Sequence, residues 1–304
     1  MASSLALVSA SLVTWISARA DGSSRALVQA PLDVAELMYD GVFADSVAVL
    51  TSATLKLGGE FTALAQSVGL AGTRENSVLR TVDVGSPFDY PGQGILYVAR
   101  QIPRPGQGGV DAKVYEHLAE LIEAAGGRTL GLFSSMRSAE QAAQYCREHL
   151  DFPILCQSEA QLSKLTADFL AGPGVCLFGT LSLWQGIDVP GDTCNLVVID
   201  RIPFPRPDDP LIRARSRYAD EMGGNGFMDV SVAHAGLLLA QGSGRLIRTL
   251  DDRGVVAVLD SRLANARYAE YLRACMPDFW PTTDTQTVLD VLRRLNAAAN
   301  AKEA

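Results

Sequence analysis

The chain has 304 residues, 48% hydrophobic and 20% charged, which is enough apolar content for one large core or two modest ones and too much for general disorder. A formal net charge of -8 excludes a protein that holds nucleic acid through overall charge, because a polyanion is repelled at long range, so any such contact has to be local. Cys146, Cys156, Cys176, Cys194 and Cys275 stand far apart with no Cys-x-x-Cys pair, which points to buried reduced thiols in a cytoplasmic protein and to no metal site.

In chain order, the mildly apolar run 5–16 followed by Ser17-Ala18-Arg19-Ala20 is faintly like a secretory leader. No Lys or Arg precedes Arg19, and Ser9 and Ser11 interrupt the run, so secretion is not expected. No stretch is long and apolar enough to span a membrane, and no membrane partner is expected. Strands are predicted at 46–50, 94–99, 129–133, 153–156, 175–178, 194–199 and 255–259, and most are apolar throughout, as strands covered on both faces should be. Helical patterns lie between or after them at 111–125, 139–149, 159–170, 210–222, 229–241 and 285–299. This alternation predicts an α/β domain with a parallel sheet and helices on both faces. The Pro- and Gly-rich stretch 83–92 reads as a linker, with a boundary near residue 92. Residues 1–92 hold one strand and two helices, too little for a complete sheet, and look like the tail of a larger domain. Residues 93–304 form the second domain.

The sharpest motif is Gln241-Gly242-Ser243-Gly244-Arg245-Leu246-Ile247-Arg248. At about 100° per residue on a helix, Gln241, Arg245 and Arg248 share one sector, while Leu246, Ile247 and Leu250 fall opposite. Two guanidiniums beside an amide suit phosphate oxygens, since Arg presents a planar, permanently charged fork. The bland alternative is a surface helix with solvated arginines. A second constellation, residues 179–191 with Thr180, Ser182, Trp184, Gly186, Asp188 and Gly191, follows the strand at 175–178, where open α/β sheets bind ligands. A tight structural turn explains it equally well in isolation. Thr51-Ser52-Ala53-Thr54-Leu55 and Phe133-Ser134-Ser135 place hydroxyls after two other strands, and each alone reads as an ordinary helix-capping loop. Asp260-Ser261-Arg262 is compatible with a simple ion pair.

As a series these segments resemble the motifs of superfamily 2 helicases, and in detail the DinG/XPD family. Residues 51–55 are similar to motif III, the surroundings of Ser134 to motif IV, 179–191 to motif V and 241–248 to motif VI, with further likeness at Ser86-Pro87-Phe88 and Ile202-Pro203-Phe204. The resemblance implies a RecA-like helicase C-terminal lobe of the P-loop NTPase type, spanning roughly residues 30–275. It implies that Arg245 and Arg248 act as arginine fingers on ATP held by another lobe, with Gln241 placing water or phosphate. Gly186, Asp188 and Gly244 would line the nucleotide, and Thr180, Ser182, Trp184 and Ser134 the single-stranded DNA.

The departures are as informative. No Gly precedes any of Lys56, Lys113, Lys164 or Lys302, so a GxxxxGK[ST] phosphate loop is absent, as are a DEAH-type box and the cysteines of an iron-sulfur cluster. Mg2+ would therefore be held mainly by a first lobe supplied in cis or in trans. The resulting expectation is the C-terminal part of an ATP-dependent DNA helicase, 5' to 3' in polarity, inactive alone. The competing expectation is a module that binds single-stranded nucleic acid or a partner without hydrolysis.

Overall fold

The structure is a computed structural model that describes residues 12–18, 23–70, 79–104, 111–180, 183 and 191–303. The chain divides into two compact units, Met1–Asp83 with Phe204–Ala235, and Val84–Pro203 with Gly236–Ala304.

In the first unit, strands β1 (Leu12–Ala18) and β2 (Arg25–Pro31) pair antiparallel, Leu12 opposite Pro31 and Ala18 opposite Arg25. The run weighed as a leader is thus partly a strand. Short helices follow at Ala35–Met38, which continues as a π-helical turn Tyr39–Phe43, and at Thr62–Ser67. The helix Pro210–Glu221 starts where the sequence demands it: the Asp209 carboxylate accepts from the amides of Leu211 (2.9 Å) and Ile212 (3.0 Å), and Pro210 occupies the first turn. Arg215 Nε of that helix donates to the Leu32 carbonyl just beyond β2, at 2.8 Å.

The strand expected at 46–50 does not form. Parallel strands exist only where a neighbour supplies ladder partners, and none does so among the described residues. Val47 is 100% exposed and Val49 84%.

The second unit is built on a sheet that, among the described residues, contains β3 (Gly94–Val98), β4 (Thr129–Leu132), β5 (Ile154–Cys156), β6 (Cys176–Gly179), β7 (Leu196–Ile199), β8 (Gly254–Val258) and β9 (Trp280–Thr282). Their order is β5-β6-β4-β7-β8-β3-β9, parallel at every pairing, with Leu130 opposite Leu177 on one side and Val197 on the other. β4, β6, β7 and β8 are buried along their whole length, so the continuous apolar runs of the sequence are what two covered faces require.

Helices Ala112–Ala125, Met136–His149, Leu162–Ala171 and Thr285–Glu303 connect or follow these strands. Asp111 caps the first through the Lys113 amide (3.0 Å), and Gly126 ends it in the left-handed conformation. Ser135 caps the second through the Ser138 amide (3.1 Å). Tyr97, Leu118, Ile122, Phe178, Val198, Val255 and Val288 form part of one continuous core between helices and sheet. β9 was not predicted: it is three residues long, contains Pro281 and, among the described residues, pairs with β3 alone, as suits an edge strand.

Candidate nucleotide and nucleic-acid site

Four adjacent strands deliver polar residues to the carboxyl end of the sheet: Gln157 after β5, Thr180 after β6, Ser134 after β4 and Asp200 after β7. The Thr180 amide and hydroxyl both donate to Gln157 Oε1, at 2.7 and 3.2 Å. Ser134 donates its amide to Asp200 Oδ1 and its hydroxyl to Asp200 Oδ2, each at 2.9 Å, and Arg201 Nε reaches Oδ2 at 3.2 Å. Burial pushes the Asp200 carboxyl up to about 6, with Arg201 and the Ser134 bonds pulling the other way. Each hydroxyl has a single proton. A direct donation from Ser134 or Thr180 to a phosphate therefore requires exchange of the acceptor seen here.

One strand further on, the fully buried Asp260 accepts from the Ile202 amide (3.0 Å) and from Arg262 Nη2 (2.6 Å), an ion pair that raises the Arg262 guanidinium above its usual range. This is a structural clasp between the ends of β7 and β8. Within residues 51–55 the Thr54 amide donates to Ser52 Oγ and the two hydroxyls share a hydrogen bond, both at 3.2 Å.

The arginine segment differs from its predicted geometry. The helix Ala233–Ser243 stops before both arginines, Arg245 lies in a turn and Arg248 in an irregular segment, so no shared helix face aligns them with Gln241. Gly242 and Gly244 weaken the helix, and Ser243 Oγ bonds back to the Leu239 carbonyl at 2.6 Å. Tight turns follow, Arg245 amide to Gly242 carbonyl (3.2 Å) and Leu246 amide to Ser243 carbonyl (3.3 Å). The consecutive Leu246 and Ile247 are then both buried, at 1% and 2% exposed, whereas Leu250, expected on the same apolar face, is 65% exposed.

Arg245, Arg248, Gln241 and Gly244 are half-buried. Gln241 Oε1 is buried and accepts no hydrogen bond among the described residues. Two residues that sequence reasoning missed fix this loop. Asp252 accepts from the amides of Arg248 and Thr249, both at 2.7 Å. Gln93, on the short helix Tyr90–Gln93, donates its side-chain amide to the carbonyls of Thr249 (3.2 Å), Leu250 (3.1 Å) and Asp252 (3.1 Å). Nothing in the sequence marks either, since an Asp251-Asp252 pair before a strand reads as a solvated turn.

The predicted site residues therefore fall into two groups. Ser134 and Thr180 stand at the carboxyl ends of β4 and β6, and the arginine loop leads into the amino end of β8. Ser182, Trp184, Gly186 and Asp188 lie outside the described residues. The half-buried guanidiniums carry N–H donors of the kind phosphate oxygens accept, whereas the Gln241 amide oxygen is itself an acceptor and calls for a donor such as water. No group of three or more His, Cys, Asp or Glu that could hold a metal ion occurs among the described residues.

Sheet order, buried parallel strands and polar strand-end loops define a RecA-like lobe of the helicase type. Residues 118–279 match the family described as the helicase C-terminal domain, and the chain belongs to that family. It is 57% identical over 282 residues to the ATP-dependent helicase DinG of Mycobacterium tuberculosis, covering 92% of this chain and 42% of that protein. It is 37% identical over 264 residues to the ATP-dependent DNA helicase YoaA of Haemophilus influenzae, covering 86% of this chain and 40% of that protein. The chain thus spans about two fifths of the length of these curated relatives. A solved XPD helicase shares the fold with a TM-score of 0.61 at 17% identity, over 92% of this chain and 49% of that one.

Proposed function

We propose that the chain is the C-terminal part of an ATP-dependent DNA helicase, supplying arginine fingers to ATP held by a first lobe and part of the track for single-stranded DNA. The observation that carries this reading is the arginine loop. Arg245 and Arg248 are half-buried on a backbone pinned by Asp252 and Gln93, and Gln241 Oε1 accepts no hydrogen bond among the described residues. A phosphoryl group in transfer develops charge that a fixed guanidinium stabilises without reorganisation. Ser134 and Thr180, with their hydroxyls at adjacent strand ends, serve the DNA backbone. The partner is a first lobe bearing the phosphate loop, joined in cis or in trans, with residues 1–92 completing it, and the setting is the cytoplasm. Alone, the chain has negligible ATPase activity.

Mixing the chain with a separately expressed first-lobe fragment of a DinG relative tests this. DNA-stimulated ATPase should appear, and Arg248→Ala should lower it by roughly 10³-fold, as for other arginine fingers. No activity above that of either part alone sinks the reading.

A further inference from the structure

We propose that Asp252 is a positioning residue that ties the end of the 179–191 segment to the arginine loop. The proposal rests on the reading above for what the loop does, and on geometry alone for the tie. Asp252 is 5% exposed, and each of its carboxylate oxygens takes two donors. Oδ2 accepts the amides of Arg248 and Thr249, both at 2.7 Å, and Oδ1 accepts the Thr249 hydroxyl (2.6 Å) and the Gly191 amide (3.1 Å). An ionised carboxylate has about four lone-pair sites, and all are engaged.

Three of these bonds are local and would cap any turn. The fourth spans 61 residues and reaches the last residue of the segment that begins at Gly179. Gly191 sits at φ +76°, with nothing within 4 Å of where a Cβ would be, so backbone conformation rather than crowding is what calls for glycine here. Thr180 is held on Gln157 at the carboxyl end of the sheet, and Gly191 on Asp252 at the amino end. One carboxylate thus joins the Gly191 amide to the Arg248 backbone.

The donor count makes Asp252→Asn a selective probe. Asparagine keeps one accepting oxygen, which satisfies the Arg248 and Thr249 amides. Its NH2 then faces the Thr249 hydroxyl, which can accept, and the Gly191 N–H, which cannot. The substitution should cut the long tie and spare the local turn.

Hydrogen exchange on the whole chain reads this directly. We expect the Gly191 amide to exchange at least about tenfold faster in Asp252→Asn, with Arg248, Thr249 and the amides of β8 changed less than about threefold. In the complemented enzyme, kcat for ATP should fall with KM unchanged. Unaltered Gly191 exchange, uniform acceleration across β7 and β8, or an unaltered kcat each overturns the proposal. If the variant loses its fold by circular dichroism, the wild-type chain decides, because a Gly191 amide exchanging as fast as a free turn amide excludes the tie. Failure of complementation by the wild-type chain would count against the arginine-finger reading alone, since the exchange result needs neither ATP nor DNA.

Discussion

At Asp200, burial and hydrogen bonding pull in opposite directions. Its carboxyl sits at the carboxyl end of the sheet with Ser134 on both oxygens, and burial still raises it from 3.8 to about 6. A carboxyl whose folded-state pKa lies above its unfolded one favours the fold most while protonated. Its contribution is fully present below about 4 and is lost as pH rises through about 6. Each tenfold change in an acid's ionisation constant is worth about 1.4 kcal/mol, so the loss is on the order of 3 kcal/mol. Asp200→Asn removes the titration, so urea midpoints of the wild type should decline relative to the variant between pH 4 and 6 and run parallel above 7. Parallel curves throughout would show that the carboxyl is not raised. The same carboxylate holds both Ser134 donors, so the Ser134 hydroxyl reaches another acceptor only by exchanging this one.

At the scale of elements, β4 shows why the sheet was legible. Thr129–Leu132 is buried at every position, and a four-residue apolar run between helical patterns has few other homes in an α/β fold. Gly131 within it is there for space: a Cβ would lie 2.6 Å from Phe178 Cδ1 and 2.8 Å from Phe133 Cε2. Both rings are buried, so Gly131→Ala should cost about 1–3 kcal/mol through overpacking, read as a lower urea midpoint with an unchanged m-value. A neutral result would mean the rings have room to move. The misreadings were also physical. Periodicity carried the helix through Arg248, but it does not register two glycines or a serine bonding back onto the helix. The hairpin β1–β2 was missed because the mildly apolar run 5–16 shows no strand alternation and β2 lies beyond it. Asp252 and Gln93 were missed because their role depends on contacts with backbone far away in sequence. Gln157 shares that fate, since only the folded strand order brings it to Thr180.

For the whole molecule, the segment 46–50 poses a question that its own residues sharpen. Val47 and Val49 are almost wholly exposed, Leu50 is 44% exposed, and no strand among the described residues pairs with them. Apolar side chains of strand-forming type left in water are worth about 25 cal/mol per Å² to whatever covers them. The strand predicted there was a fair reading of composition that lacked a sheet to join. If a first lobe supplies that sheet, the amides of residues 46–50 should become protected from exchange when the complementing fragment is added. Val49→Lys should then weaken complementation at least about tenfold and leave the thermal midpoint of the free chain unchanged, because Val49 contributes little buried area to it. Protection absent at 46–50 in an active complex would place the first lobe's contact elsewhere on the chain.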